Sequence, residues 1–396
     1  MNSSAEEQSV IMEEGALAKL GQILREARAR QIFLVVDEIA WEHSGAGTVL
    51  KNDLQSVHVT RFSNFEPNPK IEDVERGVAL CRVAKPDLIV AFGGGTALDV
   101  AKMIGAMQRH PSSPRQIALK GLPFPEGSIP VVAIPTTAGT GSEATHFAVV
   151  YVDGQKYSIA ASCLLPRWAM IDSQLTYSVP APLTAATGLD AFCQAIESIW
   201  AVGATDESIG YAVEAARLAK NNLAEATHRA TPRSRGAMCQ AAHLAGKAIN
   251  VSKTTLPHAI SYALTSDYGI PHGLAVATTL SSVLAFNYEI TEEDCTDPRG
   301  VQHVRNRLAL VLQLLDATDV ETACENVERW IQNINGYPTL AAAGITNDDQ
   351  IRAITRRVNL ERLANNPRRA HQEQLVALLR GRQTKTASLN RAATSS

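Results

Sequence analysis

The sequence predicts an N-terminal α/β domain with a parallel sheet, followed by a C-terminal domain built only from helices. Its 396 residues exceed the length of a usual single domain, and the 45% that are hydrophobic suffice for two cores. Short apolar runs alternate with helical stretches in the first half, as in parallel α/β folds. Strand signals almost vanish after the stretch SVPAP at 178–182. We therefore predict domains at 1–180 and 181–381.

Three apolar runs, at 32–36, 87–92 and 130–135, are the predicted strands of the first domain. The first run ends in Asp37. An acid at the carboxyl end of a strand can accept hydrogen bonds from a ribose diol and repels a 2′-phosphate, which favours NAD(H) over NADP(H). A helix N-cap or a turn explains Asp37 equally well.

The second run leads into three glycines and a threonine, in the segment AFGGGTALD at 91–99. Glycines between a strand and a helix let backbone N–H groups approach a pyrophosphate, and the helix N-terminus adds its positive end. The segment is neither GxGxxG nor a P-loop, and any tight strand-to-helix turn can use such a cluster.

The second half predicts consecutive helices with short connections. They lie at 183–201, 206–225, 233–249, 255–266, 272–287, 301–316 and 320–335, with shorter ones as far as 380. Residues 382–396 lack apolar periodicity and predict a disordered tail.

Two histidines, His258 and His272, lie fourteen residues apart, and a glycine and a proline between them interrupt any single helix. His258 is therefore expected inside one helix and His272 at the start of the next. Two imidazoles brought together in this way can hold a divalent metal, although either one alone more often fills a helical core. Upstream, Asp190 and Gln194 are four residues apart and share one helical face.

These motifs together resemble the iron-containing (group III) alcohol dehydrogenases, which share the dehydroquinate synthase-like architecture. The resemblance is carried by GLDAxxxAIE at 188–197, by the late His and His-Gly, by GGGTxxD at 93–99 and by PTTAGTGSE at 135–143. It implies an Fe(II) or Zn(II) ion held by Asp190, Gln194, His258 and His272. Gln194 stands where the family has a histidine. Either the other three residues bind the metal alone, or the amide of Gln194 is a weaker fourth ligand.

The same resemblance implies an NAD(H) site on the first domain, which would face the metal across the cleft between the domains. The implied cofactor contacts are Asp37, Asn68, Gly94, Gly95, Thr96, Asp99, Thr136, Thr137, Thr140 and Lys156. Lys156 follows a turn and would reach a ribose or phosphate, or else is a solvated surface lysine.

The segment before His258 suggests the substrate, because Ser252, Lys253 and Thr254 offer an ammonium and hydroxyls that suit an anion. Relatives acting on simple alcohols have a mostly apolar stretch there. A second cluster, ERLANNPRR at 361–369, adds Arg362 as a weaker anion contact. Its last two arginines, Arg368 and Arg369, are better interpreted as a solvated helix end.

Over nearly the whole chain, these features are similar to the phosphonoacetaldehyde reductases of phosphonate biosynthesis. The similarity implies reduction of phosphonoacetaldehyde to 2-hydroxyethylphosphonate with NAD(H). The alternatives are a phosphonopyruvate reductase, a general short-chain alcohol dehydrogenase, and a metal-free binding protein that kept the fold.

Charge and composition narrow the possible partners. A net charge of −3 argues against binding nucleic acid or a membrane surface. No apolar run approaches the roughly 18 residues of a membrane span, so we expect a cytoplasmic protein. The expected partners are a second copy of the chain, in a homodimer, and a small anionic carbonyl compound as substrate. The six cysteines form no CxxC pair, which argues against a disulfide framework. Cys193, beside Gln194, is expected to be a small buried residue rather than a nucleophile.

Overall fold

The computed structural model describes residues 8–335 and 339–381. The chain divides into two compact units: one runs to Pro180 and includes Ala230–Gly246, and the other comprises Ala181–Arg229 and resumes at Lys247. The segment Ala230–Gly246 therefore groups with the sheet unit, whereas the predicted boundary after residue 180 places it in the helical domain. The predicted tail at 382–396 lies outside the described residues.

Every strand within residues 8–335 and 339–381 lies in the first unit, and the sheet there confirms the predicted parallel α/β class. The strands are β1 (Ser9–Met12), β2 (Gln31–Val36), β3 (His58–Phe62), β4 (Leu88–Gly93), β5 (Val131–Pro135), β6 (Phe147–Val152), β7 (Gln155–Ala160) and β8 (Trp168–Ile171). Six of them form a parallel sheet in the order β1-β8-β5-β4-β2-β3, while β6 and β7 form an antiparallel hairpin. The three predicted strands are β2, β4 and β5.

Helices cover both faces of this sheet. They are α1 (Leu20–Glu26), α2 (Glu38–Ser44), α3 (Ala46–Val49), α4 (Lys51–Gln55), α5 (Ile71–Ala84), α6 (Gly95–Met107) and α7 (Pro114–Lys120). Alternate residues of each central strand enter different cores: Phe33 and Val35 pack with α5 and α6, and Ile32 and Leu34 pack with α1. Because both faces are buried, these strands are continuous apolar runs.

The second unit is helical in its described part, as predicted. The chain continues with α8 (Ala181–Trp200), α9 (Asp206–His228), α10 (Pro232–Ser252), α11 (Leu256–Tyr268), α12 (His272–Tyr288), α13 (Val301–Leu314), α14 (Val320–Asn335), α15 (Asp348–Arg356) and α16 (Leu360–Ala364). Residues 372–381 are also helical. Helix α10 begins in the first unit and ends in the second. None of the helices in the described part of the chain combines the length and apolar character that a membrane span requires.

Candidate metal centre and cofactor loops

Helix α8 presents polar side chains along one buried face. Asp190, Gln194 and Glu197 follow each other at helical spacing, and each is at most 4% exposed. The start of α12 lies directly against this helix: a Cβ on Gly273 would come within 1.9 Å of the carbonyl oxygen of Ala186. Only glycine permits this approach, which explains why a glycine follows His272 in the His-Gly pair.

The structure brings Asp190, His258 and His272 together. One ligand atom from each lies within 4.8 Å of the others. Nε2 of His258 is 3.3 Å from Oδ1 of Asp190, and the centroids of the two imidazole rings are 5.4 Å apart. One carboxylate and two imidazoles form a donor set that suits Fe(II) or Zn(II). The residues therefore fit the metal that the sequence predicts.

Glu197, the last residue of the GLDAxxxAIE motif, was not among the site residues predicted from the sequence, yet it contacts the cluster. Its carboxylate hydrogen-bonds to Nδ1 of His258 through Oε1. Its other oxygen accepts hydrogen bonds from the backbone N–H of Thr255 at 2.7 Å and from the Thr255 hydroxyl at 2.9 Å. These contacts direct Nε2 of His258 towards Asp190 and His272. The available signal was the position of Glu197, two helical turns after Asp190 on the same face.

The two carboxylates dominate the titration of His258. Burial disfavours the charged imidazolium, but the charge of Glu197 and hydrogen bonds with Asp190 and Glu197 outweigh it and raise the pKa of His258 to about 10. The carboxylates of Glu197 and Asp190 therefore favour a positive charge at this position, which a bound divalent cation would also supply.

Two further side chains lie near the cluster. Gln194 is buried on α8, one turn after Asp190, as predicted from its spacing. The ring of Tyr262 stacks on that of His272, with centroids 6.0 Å apart.

The predicted anion contacts differ in accessibility. Ser252 is fully buried, and its hydroxyl oxygen lies 2.9 Å from both the Ala248 carbonyl and the Ser198 hydroxyl, so it is directed into the protein. Thr254 is also buried. Lys253 is about half exposed, has a left-handed φ of 59°, and its Nζ lies 2.7 Å from Oε1 of Glu361.

The polar segment at 361–369 holds the turn at 252–254 in place. The side-chain amide of Asn365 donates to the carbonyls of Ser252 and Thr254, at 2.8 and 3.0 Å, and so clamps the turn that carries Lys253. Arg362 is buried on α16. Arg368 bonds Asp294 at 2.6 Å and the Phe286 carbonyl at 2.6 Å. The interpretation of Arg368 as a solvated residue is therefore wrong, because its guanidinium anchors this segment to the protein.

In the first unit, the two predicted cofactor loops meet at the carboxyl ends of adjacent strands. Gly93 of β4 pairs in register with Pro135 of β5. A Cβ on Gly95 would lie 2.7 Å from the Thr140 side chain, so the two loops are in contact. Gly94 and Gly95 form the N-terminus of α6, and Thr96 lies in its first turn. Their backbone N–H groups can bind a pyrophosphate.

Thr136 and Thr137 follow β5 directly, in the loop that also carries Thr140. Thr136 donates its backbone N–H to the carbonyl of Gly93 at 3.0 Å. Thr136 is buried, whereas Thr137 and Thr140 are partly exposed. The loop therefore presents hydroxyl groups beside the α6 N-terminus.

Asp37 caps helix α2, as its alternative interpretation predicted. Its Oδ1 accepts hydrogen bonds from the backbone N–H groups of Ile39 and Ala40 at 3.0 and 3.1 Å. A Cβ on Gly93 would lie 2.8 Å from the Cβ of Asp37, which places the carboxylate beside the glycine loop. Because capping uses only Oδ1, Oδ2 of Asp37 is compatible with the predicted contact to a ribose.

Asn68 and Lys156 belong to neighbouring segments. Asn68 has a left-handed φ of 61°, a conformation that asparagine tolerates. The next residue, Pro69, accepts a hydrogen bond from the Tyr151 N–H at 2.8 Å, and Tyr151 pairs with Lys156 across the β6–β7 hairpin.

Asp99, by contrast, points into the protein: it bonds the Ser142 hydroxyl and, at 2.9 Å, the Val149 N–H.

Comparison with known proteins places these sites in a family. Residues 7–173 match the description "Iron-containing alcohol dehydrogenase", and residues 184–382 match "Fe-containing alcohol dehydrogenase family, C-terminal". The chain is 32% identical over 345 residues to long-chain-alcohol dehydrogenase 1 of Geobacillus thermodenitrificans, covering 84% of each chain. It is 35% identical over 312 residues to the phosphonoacetaldehyde reductase of Streptomyces viridochromogenes, covering 75% of this chain and 76% of the relative.

Among solved structures, the fold is similar to that of sulfoacetaldehyde reductase from Bifidobacterium kashiwanohense in complex with NAD⁺. The TM-score is 0.85 at 28% identity, covering 96% of this chain and 98% of the other. These matches place the chain in the class of metal-dependent dehydrogenases. The chain belongs to the iron-containing alcohol dehydrogenase family, whose members use NAD(H) and a metal, and it is an alcohol dehydrogenase dependent on a nicotinamide cofactor.

Proposed function

We propose that the protein reduces a small anionic aldehyde with NADH, and that the substrate is phosphonoacetaldehyde, which becomes 2-hydroxyethylphosphonate. Hydride passes to the carbonyl carbon and a proton to the oxygen, giving the alcohol and NAD⁺. The observation that carries this proposal is the lysine on the clamped turn at 252–254, just before the metal-binding helix α11. Two relatives support the substrate class, because their names specify aldehydes bearing a phosphonate and a sulfonate.

We assign the metal to Asp190, His258 and His272, with Gln194 as a fourth, weaker ligand. A divalent ion supplies Lewis-acid polarisation of a carbonyl group. Asp190 contributes the negative charge of the site, and Glu197 holds the His258 ring in the orientation that binding requires. The proposed cofactor contacts are those of the two loops, together with Asp37, Asn68 and Lys156.

Lys253 is the proposed main contact for the phosphonate, with Arg362 as a weaker one. Its present partner is replaceable, because Lys253 and Glu361 are about half exposed and such pairs contribute little to stability. The Lys253 ammonium lowers the pKa of Glu361, so this carboxylate is ionised at neutral pH. A doubly charged phosphonate can compete with a single carboxylate for this lysine.

We expect Lys253→Met to lower kcat/KM for phosphonoacetaldehyde by about tenfold, because the variant removes the ammonium that would bind the phosphonate dianion. Methionine keeps the side-chain length and the same cost of the left-handed backbone, so the variant isolates the charge. The measurement is NADH consumption by the metal-loaded enzyme, with propanal as an uncharged control that should be reduced at the wild-type rate.

Glu361→Gln provides the opposite perturbation, since it releases Lys253 from its partner and should raise kcat/KM for the phosphonate. Equal losses on both aldehydes in Lys253→Met would assign the lysine to the metal or cofactor instead. Faster turnover of phosphonopyruvate than of phosphonoacetaldehyde by the wild type would favour a 2-oxo acid reductase.

The preference for NADH is proposed from Asp37. We expect Asp37→Ser to raise kcat/KM for NADPH relative to NADH by about tenfold, because the change removes a charge that repels the 2′-phosphate. Serine keeps the N-cap of α2, so helix stability is largely preserved. Steady-state kinetics with both cofactors tests this, and a wild type that already prefers NADPH would contradict it.

A further inference from the structure

We propose that Lys102, a buried lysine of α6, is a positioning residue that anchors the loop at 136–145 in the shape that binds the cofactor. Its side chain is 0% exposed. Nζ donates to the Ser142 carbonyl at 2.9 Å, the Ser142 hydroxyl at 3.1 Å and the Thr145 hydroxyl at 3.0 Å. It also donates to the carbonyl of Phe147. One ammonium group thus links Ser142, Thr145 and Phe147 at the end of this loop.

The surrounding groups require the charged form of the lysine. The hydroxyl proton of Ser142 is directed to Asp99, and that of Thr145 to a backbone carbonyl, of Ser142 at 3.2 Å or Phe147 at 3.3 Å. Nζ therefore faces four acceptors, and an ammonium with three N–H groups donates to more of them than a neutral amine with two can. Burial lowers the pKa of Lys102, and the nearby charges of Asp99 and Glu143 oppose this effect.

Asp99 completes the anchor from the same helix. Its Oδ1 bonds the Ser142 hydroxyl and lies 3.6 Å from Nζ of Lys102, while Oδ2 accepts the Val149 N–H at 2.9 Å. Because α6 begins at Gly95, the helix whose N-terminus is the proposed pyrophosphate site also holds the neighbouring loop, through Lys102 about two turns further along. Asp99, predicted as a cofactor contact, therefore acts with Lys102 to position the loop.

The other side of the loop is fixed by α10. A Cβ on Gly141 would lie 2.5 Å from Cα of Gly246, so the loop backbone rests directly on the helix. Nδ1 of His243 lies 3.2 Å from Oε1 of Glu143, and both side chains are buried. Contacts on two sides leave the loop little freedom, so loss of the ammonium should release the side facing α6.

The inference rests on the proposed NADH site. The test is a fluorescence titration of NADH into the metal-loaded full-length protein, together with hydrogen exchange of the peptides covering 136–149. We expect Lys102→Met to raise the Kd for NADH by about tenfold or more and to accelerate exchange in this segment, with metal content unchanged. Thr145→Val, which is nearly isosteric, should also raise the Kd for NADH and accelerate exchange in this segment, by smaller factors than Lys102→Met.

Met103→Leu is the matched control, because Met103 is the next residue of α6, fully buried, and the change conserves volume. It should leave NADH affinity and exchange at wild-type values. Wild-type NADH affinity in Thr145→Val and in a folded Lys102→Met would overturn the inference. A wild type that binds neither NADH nor NADPH would instead overturn the proposed function and this inference together, so the two failures are distinguishable.

Discussion

Asp190→Ala is expected to abolish metal binding and to lower the rate of aldehyde reduction by at least about a thousandfold, since a bound divalent ion contributes several kcal/mol to stabilising a developing negative charge. Asp190 is the only carboxylate in the described three-residue cluster. Without it, the two imidazoles and the weaker amide of Gln194 remain, and the proposed ligand set has lost its charged member. Metal content per chain and NADH consumption are the measurements.

Cys193→Ala is the control for this variant. Cys193 lies three residues further along α8 and is fully buried, and burial raises the pKa of its thiol well above the usual value, so no thiolate participates. This supports its interpretation as a packing residue. The control should keep the metal. NADH binding should persist in both variants, because the proposed cofactor loops belong to the other unit. An Asp190→Ala protein with full metal content and full activity would refute the assigned ligand set.

The three strands that the sequence predicted have both faces buried, whereas β8, which is also buried but only four residues long, was missed. β2, β4 and β5 are central in the sheet and appear as continuous apolar runs. β1 and β3 lie at the edges and are largely exposed or half-buried, so their patterns resemble those of loops. The segment Ala230–Gly246 groups with the sheet unit although it is helical, and the sequence did not indicate this because helical periodicity identifies a helix without identifying what it packs against.

The candidate ligands of the metal could be proposed from the sequence because local spacing and a family resemblance both point to them. The residues that support the ligands were not, because their partners are distant in the chain. Glu197 meets His258 across 61 residues, and Asn365 meets Ser252 across 113. Arg368 was misinterpreted for the same reason, since its anchor Asp294 lies 74 residues away. Tertiary contacts of this kind leave no periodic trace in the sequence.

Glu197→Gln is expected to weaken metal binding by about 10- to 100-fold, the usual effect of removing the carboxylate behind a ligating histidine. Glutamine preserves the volume, but its NH₂ group cannot accept the hydrogen bonds that Thr255 now donates to Oε2. If its oxygen turns to Thr255, the NH₂ group faces Nδ1 of His258, so one of the two contacts is lost in either orientation. Competition with a chelator measures the affinity for Zn(II) or Fe(II).

A double-mutant cycle shows whether Glu197 acts through His258. His258→Asn removes the ligand itself, so adding Glu197→Gln to it should weaken the residual metal binding by much less than Glu197→Gln does alone. Thr255→Val removes the second partner of the carboxylate and the acceptor of the Trp200 indole N–H, and should weaken binding to a smaller extent than Glu197→Gln. Additive losses in the cycle would mean that Glu197 stabilises the helical unit in general. A strongly non-additive loss would establish that its carboxylate serves the site by holding one imidazole in place.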